Sequence, residues 1–289
     1  MNVKDTLFSR NYSMQIKGQL INFSIPKIMG VLNVTPDSFY DGSRYIEKDK
    51  ILGKVEKMIL EGVDFIDIGA YSSRPGAVII SYEEELKRLS ATMELLRSCF
   101  PESTISIDTF RSGIARKMVE EYKADMINDI SAGDMDKEMF NTIADLQIPY
   151  VIMHMQGTPK TMQKNPKYDN IVKDILTFFS GKVEELKLLG VDNVILDPGF
   201  GFGKTLDHNY ELMNGLGQFS ILNKPVMVGV SRKSMIGKLL GCTPDEALNG
   251  TVVLNTVALM KGIDILRVHD VKEAVEAIKI VEKLEELNK

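Results

Sequence analysis

The stretch 65-FIDIGAYSSRPGAVIISYEEELKRLSATMELLRSCFPESTISID-108 decides the fold. Phe65–Ile68 and Ile105–Asp108 are short, continuous apolar runs of the kind expected for parallel strands buried on both faces. Between them, Tyr82–Phe100 carries Leu86, Leu89, Met93 and Leu96 at spacings of three and four, the stripe of an amphipathic helix. Outward from this unit the alternation continues in both directions. The other strand candidates are Lys27–Val34, Met126–Asp129, Tyr150–Met153, Val194–Asp197, Val226–Val230 and Ile265–Val268. The other helices include Ile171–Leu189, Asn209–Phe219, Asp245–Met260 and Val271–Leu287, with Pro244 just ahead of one of them, where its missing N–H is harmless. Strands alternating with helices, without a proline- or glycine-rich linker, predict one α/β unit, a (β/α)8 TIM barrel spanning residues 1–289. An open doubly wound sheet shares the alternation, but eight units without a visible topological switch favour the barrel. Met14–Phe23 reads as a small N-terminal hairpin turning at Lys17-Gly18 and covering the bottom of that barrel.

Composition narrows the function. Of 289 residues, 44% are hydrophobic and 26% charged, which excludes a disordered or low-complexity chain. The 35 basic and 40 acidic residues give a formal charge of −5, no overall pull toward nucleic acid or anionic lipid, so an anion site must be local. Two cysteines and three histidines, without a CxxC or a close histidine pair, argue against zinc or thiol redox chemistry and suit a reducing compartment. The N-terminus has no apolar stretch of signal-peptide type, and no run approaches the roughly 18 apolar residues of a membrane span. These features predict a cytoplasmic protein that engages neither membrane nor nucleic acid.

In a barrel the carboxyl ends of the strands face the active site. Here Asn33, Asp67, Asp108, Asn128 and Asp197 end or nearly end their strands, the last strand runs into Arg267, Val268 and His269, and Ser231-Arg232-Lys233-Ser234 follows the seventh. Any one of the short polar residues could be a turn former or helix cap. Their common level on so many strands points to a ligand site. Asp108, Asn128 and Asp197 suit a flat heterocycle rich in N–H groups, with Lys233 for a ring carbonyl. Arg74, Arg267 and His269 form a separate positive cluster suited to phosphate oxygens. The glycine-rich 197-DPGFGFGKT-205 is not a P-loop, because Pro198 stands where the first glycine is required; it reads as a tight loop bringing backbone and Phe202 over a flat ligand. The loops 33-NVTPDSFYDGSRY-45 and 69-GAYSSRPGA-77 are turn-rich and lie where active-site lids arise. His154 ends a strand as either a core histidine or a ligand, and Cys99 reads as a small buried hydrophobe.

The runs 29-MGVLNVTPDSF-39, 67-DIGAYSSRPGA-77, 105-ISIDT-109, 127-INDISAG-133, 153-MHMQGTP-159, 197-DPGFGFGK-204, 231-SRKSMIG-237 and 267-RVHDV-271 together resemble the dihydropteroate synthase family of pterin-binding TIM barrels. The resemblance implies a transferase of folate biosynthesis that joins 4-aminobenzoate to (7,8-dihydropterin-6-yl)methyl diphosphate and releases pyrophosphate. It implies that Asp108, Asn128, Asp197 and Lys233 hold the pterin, that Asn33 ligates Mg²⁺ at the diphosphate, and that Arg267 and His269 bind the diphosphate with Ser73. It carries the 4-aminobenzoate pocket to Phe39, Arg74, Pro75, Lys233 and Ser234, and places Asp37 in the closing first loop. Asp67, Phe202 and Val268 complete the expected substrate-binding set. The implied chemistry is dissociative, with pyrophosphate leaving before the aniline nitrogen attacks, and the implied assembly is a homodimer. Where the family commonly reads Gly-Gly-Glu-Ser-Thr-Arg-Pro-Gly, this chain has Gly-Ala-Tyr-Ser-Ser-Arg-Pro-Gly, so Ser73 keeps the hydroxyl while Tyr71 replaces an acid. The rival readings are a pterin-dependent methyltransferase, which needs no diphosphate clamp, and a catalytically silent pterin-binding protein.

Overall fold

The computed structural model describes residues 13–34, 44–70, 80–159, 161–162 and 165–287. Eight parallel strands form its sheet in the order β8-β7-β6-β5-β4-β3-β10-β9. These are β3 (Lys27–Asn33), β4 (Phe65–Gly69), β5 (Ile105–Asp108), β6 (Met126–Asp129), β7 (Tyr150–Met153), β8 (Val194–Asp197), β9 (Met227–Val228) and β10 (Ile265–Val268). A single parallel bridge, Leu196 to Val226, joins β8 toward β9 and all but closes the ring, with the Leu196 amide donating to the Pro225 carbonyl at 2.9 Å. Around it lie α1 (Arg44–Glu61), α2 (Tyr82–Cys99), α3 (Ser112–Glu120), α4 (Met139–Leu146), α5 (Ile171–Leu188), α6 (Leu206–Gly215), α7 (Ser234–Leu240), α8 (Leu248–Met260) and α9 (Val271–Glu286). The barrel expected from the alternation is therefore the observed architecture, with one helix or more after each strand.

Local chemistry explains where the boundaries shift. The seventh strand was expected over Val226–Val230 and shrinks to Met227–Val228, the Val226 amide donating instead to the Asp264 carboxylate at 2.8 Å. Helix α6 begins three residues earlier than the periodicity implied: the Thr205 side chain accepts from the His208 amide at 3.1 Å, and the His208 ring reaches back to the Thr205 amide. It ends at Gly215 and passes into a 3-10 turn over Leu216–Leu222. Helix α8 starts at Leu248 rather than Asp245, since Glu246 turns back to accept from the amide and hydroxyl of Thr243. Cys99 is exposed, contrary to the buried role expected of it, because it is the last residue of α2 and flanks the stripe of Leu89, Met93 and Leu96, which are fully buried.

The hairpin forms as expected from β1 (Ser13–Ile16) and β2 (Gln19–Asn22), antiparallel. Its two turn residues, Lys17 and Gly18, both have positive φ, 51° and 73°, the conformation a tight two-residue hairpin turn needs. The Lys17 ammonium donates to the carbonyls of Glu102 and Ser103 at 3.0 and 2.9 Å, fixing the hairpin across the barrel floor. Met14, Ile16 and Phe23 then pack with Met29, Phe65, Met126, Val151, Ile195, Met227 and Ile265 into an apolar plug inside the barrel. A separate and larger cluster fills the space between strands and helices.

Candidate active site

Strand periodicity converts the plug into a site. Side chains two residues apart share a strand face, so the residues two beyond the plug also point into the barrel, one layer higher. Phe65 leads to Asp67, Met126 to Asn128, Ile195 to Asp197 and Ile265 to Arg267, and β5 adds Asp108, which is in register with Asn128. An apolar floor thus carries a polar layer at the carboxyl ends of five strands. The intervening positions face the helices: Val268, expected to touch substrate, is fully buried in the outer core, because alternation sends Arg267 and His269 toward the mouth.

The polar layer is wired around one carboxylate oxygen. Asp67 Oδ2 accepts from Asn128 Nδ2 at 2.9 Å and from Arg267 Nε at 2.8 Å, with Arg267 Nη2 ion-paired to it at 2.7 Å. Arg267 Nη2 also donates to Asp108 Oδ2 at 3.1 Å. Asp67 is wholly buried, and its Oδ1 has no hydrogen-bond partner among the described residues. The arginine was expected in a positive cluster apart from the acids; instead its guanidinium spans two of them, since unpaired carboxylates at the centre of a barrel would be costly. Burial still raises the Asp108 carboxyl to about 7, with Arg267 opposing and Asp67 adding to the rise. Among the described residues Nη1 of Arg267 donates no hydrogen bond, so this half of the fork remains available to an anion.

Asp197 is buried and its Oδ1 accepts from the Gly199 amide at 2.8 Å. Burial raises its pKa, opposed by the charges of Lys233, Arg267 and Lys204. The Lys233 ammonium donates to the Phe200 carbonyl at 2.6 Å and lies 4.8 Å from the centre of the Phe202 ring. Desolvation lowers this lysine to about 8, Asp197 working against the shift and Arg267 with it. Arg232, at φ 54°, turns the other way and grips Asp270 with two hydrogen bonds of 2.9 Å. Ser231 Oγ sits 3.0 Å from His269 Nδ1. Ile130, Met153, Met162 and Phe202 form an apolar wall beside these groups, so the cavity pairs one apolar face with a polar floor, the shape of a pocket for a flat heterocycle. Asn33 is exposed at the rim of β3, and Ser234 is exposed at the start of α7. Asp37, Phe39, Ser73, Arg74 and Pro75 lie outside the described residues, as does Tyr71.

Two residues that sequence reasoning passed over complete the picture. Lys204 is buried, its ammonium donating to the carbonyls of Gly199 at 2.8 Å, Phe202 at 3.0 Å and His154 at 3.3 Å, with His154 Nδ1 at 3.2 Å. Asn209 Oδ1 accepts from the Gly201 amide at 2.7 Å. The sequence carried no signal for either: Lys204 is followed by Thr205, Asp207 and His208 and reads as solvated. His154 resolves as a core histidine: it is buried, edge-on to Phe178 at 5.0 Å, and burial and Lys204 lower it to about 3.

A barrel with this acceptor-rich floor, apolar wall and cationic rim defines a class, enzymes that hold a pterin-like heterocycle at the carboxyl ends of their strands. Residues 29–269 match the family model described as pterin binding enzyme, and the chain belongs to that family. It is 42% identical over 268 residues to the dihydropteroate synthase of Escherichia coli K12, covering 92% of this chain and 94% of that one. Its fold superposes with a TM-score of 0.88 on the Yersinia pestis dihydropteroate synthase solved with a sulfonamide drug, at 40% identity, over 95% of this chain and 100% of the other. The Xanthomonas albilineans dihydropteroate synthase with 4-aminobenzoic acid matches with a TM-score of 0.85, 34% identity and coverage of 94% and 98%.

Proposed function

We propose that the chain is a dihydropteroate synthase, joining 4-aminobenzoate to (7,8-dihydropterin-6-yl)methyl diphosphate in folate biosynthesis. The observation that carries this reading is the polar layer itself: Asp67, Asp108, Asn128, Asp197, Lys233 and Arg267 converge above one apolar plug, in a chain 42% identical to an enzyme of that name. Asp108, Asn128 and Asp197 accept the ring N–H and amino donors of the pterin, Lys233 meets its ring carbonyl, and Phe202 with Met153 covers a ring face. Arg267, through its remaining donors, and His269 take the diphosphate, with Ser73 from the second loop. Phe39, Arg74, Pro75, Lys233 and Ser234 form the 4-aminobenzoate side, and Asp37 closes over it with the first loop.

The reaction breaks the bond from the methylene carbon to the diphosphate oxygen. Pyrophosphate leaves with the electron pair, the pterin shares the positive charge, and the aniline nitrogen then bonds to the methylene and loses its proton to solvent. The protein supplies charge complementarity at the leaving group rather than a strong base. Mg²⁺ fits as a partner of the substrate: Asn33 offers one exposed amide oxygen at the rim, and no group of three histidine, cysteine or carboxylate ligands occurs among the described residues, so diphosphate oxygens and water would complete its shell. When bound there it would neutralise charge developing on the leaving group. Asp67 supports Arg267 and Asn128 through Oδ2, and its Oδ1, unpartnered among the described residues, keeps it in the substrate-binding set.

The reading extends to a cytoplasmic homodimer with residues 1–289 as one domain. The dimer is supported by Leu239, Leu240, Val253, Ile280 and Leu284, more than half exposed on α7, α8 and α9, and by the side-by-side packing of those helices. No helix among the described residues is long and apolar enough to cross a membrane. Purified protein given both substrates and Mg²⁺ forms 7,8-dihydropteroate and an equal amount of pyrophosphate; pyrophosphate release without 7,8-dihydropteroate when both substrates are present would overturn the assignment.

A further inference from the structure

Among the described residues Lys204 is the most deeply buried cation near the mouth, and the reaction does not use it. Its side chain runs behind the loop of residues 199–203 and ends among three carbonyl oxygens and one imidazole nitrogen. The loop is pressed against residues 154–156 so closely that only glycine fits. A Cβ on Gly199, at φ 72°, would lie 2.0 Å from the His154 carbonyl oxygen, and one on Gly203, at φ 59°, 2.8 Å from that of Gln156. Backbone carbonyls packed this tightly need a donor. An ammonium, with three donors radiating from one atom, serves several converging acceptors where a hydroxyl serves one. Tyr168 closes the far side by donating to the Gly203 carbonyl at 2.8 Å.

What hangs on this loop is the pterin side of the site. Between the two carbonyls gathered by Lys204 lies Phe200, whose own carbonyl is the acceptor of the Lys233 ammonium at 2.6 Å. The Gly199 amide orients the Asp197 carboxylate at 2.8 Å. Phe202 places its ring against Lys233. The carboxylate, the cation and the aromatic face are thus all referred to one short segment, which one buried ammonium draws together. Asp197 is also the opposite charge that raises the Lys204 pKa against its burial, while Lys233 lowers it further.

We propose that Lys204 is a positioning residue for the reaction: by holding the carbonyls of His154, Gly199 and Phe202 it fixes the loop that sets Asp197, Lys233 and Phe202 against the ligand. The identity of that ligand rests on the dihydropteroate synthase reading; the geometry of the loop does not. Lys204→Met, which keeps the length of the side chain and removes every donor, is the direct test, with Lys204→Gln as a neutral variant that retains an N–H donor. Affinity for 6-hydroxymethylpterin, followed by its fluorescence, falls at least tenfold in Lys204→Met and less in Lys204→Gln. In turnover, KM for the dihydropterin diphosphate rises at least tenfold, and KM for 4-aminobenzoate, which meets only Lys233 of these groups, rises less.

The decisive arm is a double-variant cycle. Because Lys204 acts in part through Lys233, adding Lys204→Met to Lys233→Ala weakens pterin binding by a smaller factor than Lys204→Met does in the wild-type background. Losses that multiply in full mean that Lys204 acts independently of Lys233, and that result, or unchanged pterin affinity in folded Lys204→Met, overturns the proposal. If Lys204→Met does not fold, the same cycle is read with Lys204→Gln. Binding of 6-hydroxymethylpterin by wild-type protein that shows no turnover would count against the synthase reading alone and leave the role of Lys204 to be judged on affinity.

Discussion

Replacing Arg267 with methionine tests the charge balance at the centre of the barrel. The guanidinium makes three short contacts with two carboxylates, at 2.8 and 2.7 Å to Asp67 and 3.1 Å to Asp108, and both acids are buried. Removing one partner of a buried ion pair costs about 3–5 kcal/mol, because the partner left behind is charged and desolvated. The protein can relieve part of that cost by taking up a proton. Asp108 is raised from 3.8 to about 7 even with Arg267 present, and loss of the opposing cation raises it further. A carboxyl whose folded pKa exceeds its unfolded value keeps a proton that the unfolded chain releases, so stability falls as pH rises through that window. The destabilisation by Arg267→Met is therefore pH-dependent: about 3–5 kcal/mol at pH 8, and roughly half of that at pH 5.5, where the Asp108 carboxyl is neutral. Urea unfolding of wild type and variant at the two pH values measures it. Turnover at neutral pH falls at least tenfold. A loss of stability below about 1 kcal/mol, or one equal at both pH values, would refute the picture of a cation balancing two buried acids.

Lys233→Ala lowers turnover at least tenfold, and in the wild type kcat/KM declines on the alkaline side with an apparent pKa near 8, where Lys233 loses its proton; near-normal turnover in the variant removes the lysine from the chemistry. Gly199→Ala forces a Cβ against the His154 carbonyl at a positive φ and costs at least ~2 kcal/mol of stability together with most of the activity, as thermal unfolding and rate measurements show. His154 is held neutral down to about 3 in the fold against an ordinary 6.5, so on acidification from pH 6.5 the unfolded chain takes up a proton that the folded one refuses, and stability falls. In His154→Gln that portion of the acid destabilisation disappears, which denaturation at pH 7 and pH 4.5 detects as a flatter dependence.

The barrel was legible because its strands are continuous apolar runs separated by amphipathic helices, and seven of the eight lie within a residue of where the sequence places them. The exception, β9, is shorter than the apolar run Val226–Val230, and at its start the Val226 amide leaves the ladder for the Asp264 carboxylate. The polar strand ends pointed to the mouth because a ligand site needs acceptors where the strands stop. Pairwise geometry was not legible. Nothing in RVHDV says that Arg267 bridges Asp67 and Asp108, residues 200 and 159 positions away; that follows from closing the ring. Val268 looked equal to its neighbours in sequence, and only the direction of the pleat separates it from them. Lys204 was hidden by its setting, because a lysine at the end of a glycine-rich loop ordinarily reads as solvated. Its burial depends on three left-handed glycines folding the loop back onto residues 154–156.

The most direct test of the functional account is pyrophosphate release by the purified wild-type chain, measured with and without 4-aminobenzoate and with and without Mg²⁺. The account predicts 7,8-dihydropteroate, with pyrophosphate in equal amount, only when (7,8-dihydropterin-6-yl)methyl diphosphate, 4-aminobenzoate and Mg²⁺ are all present. Folded protein that binds the pterin yet releases no pyrophosphate under those conditions would contradict it.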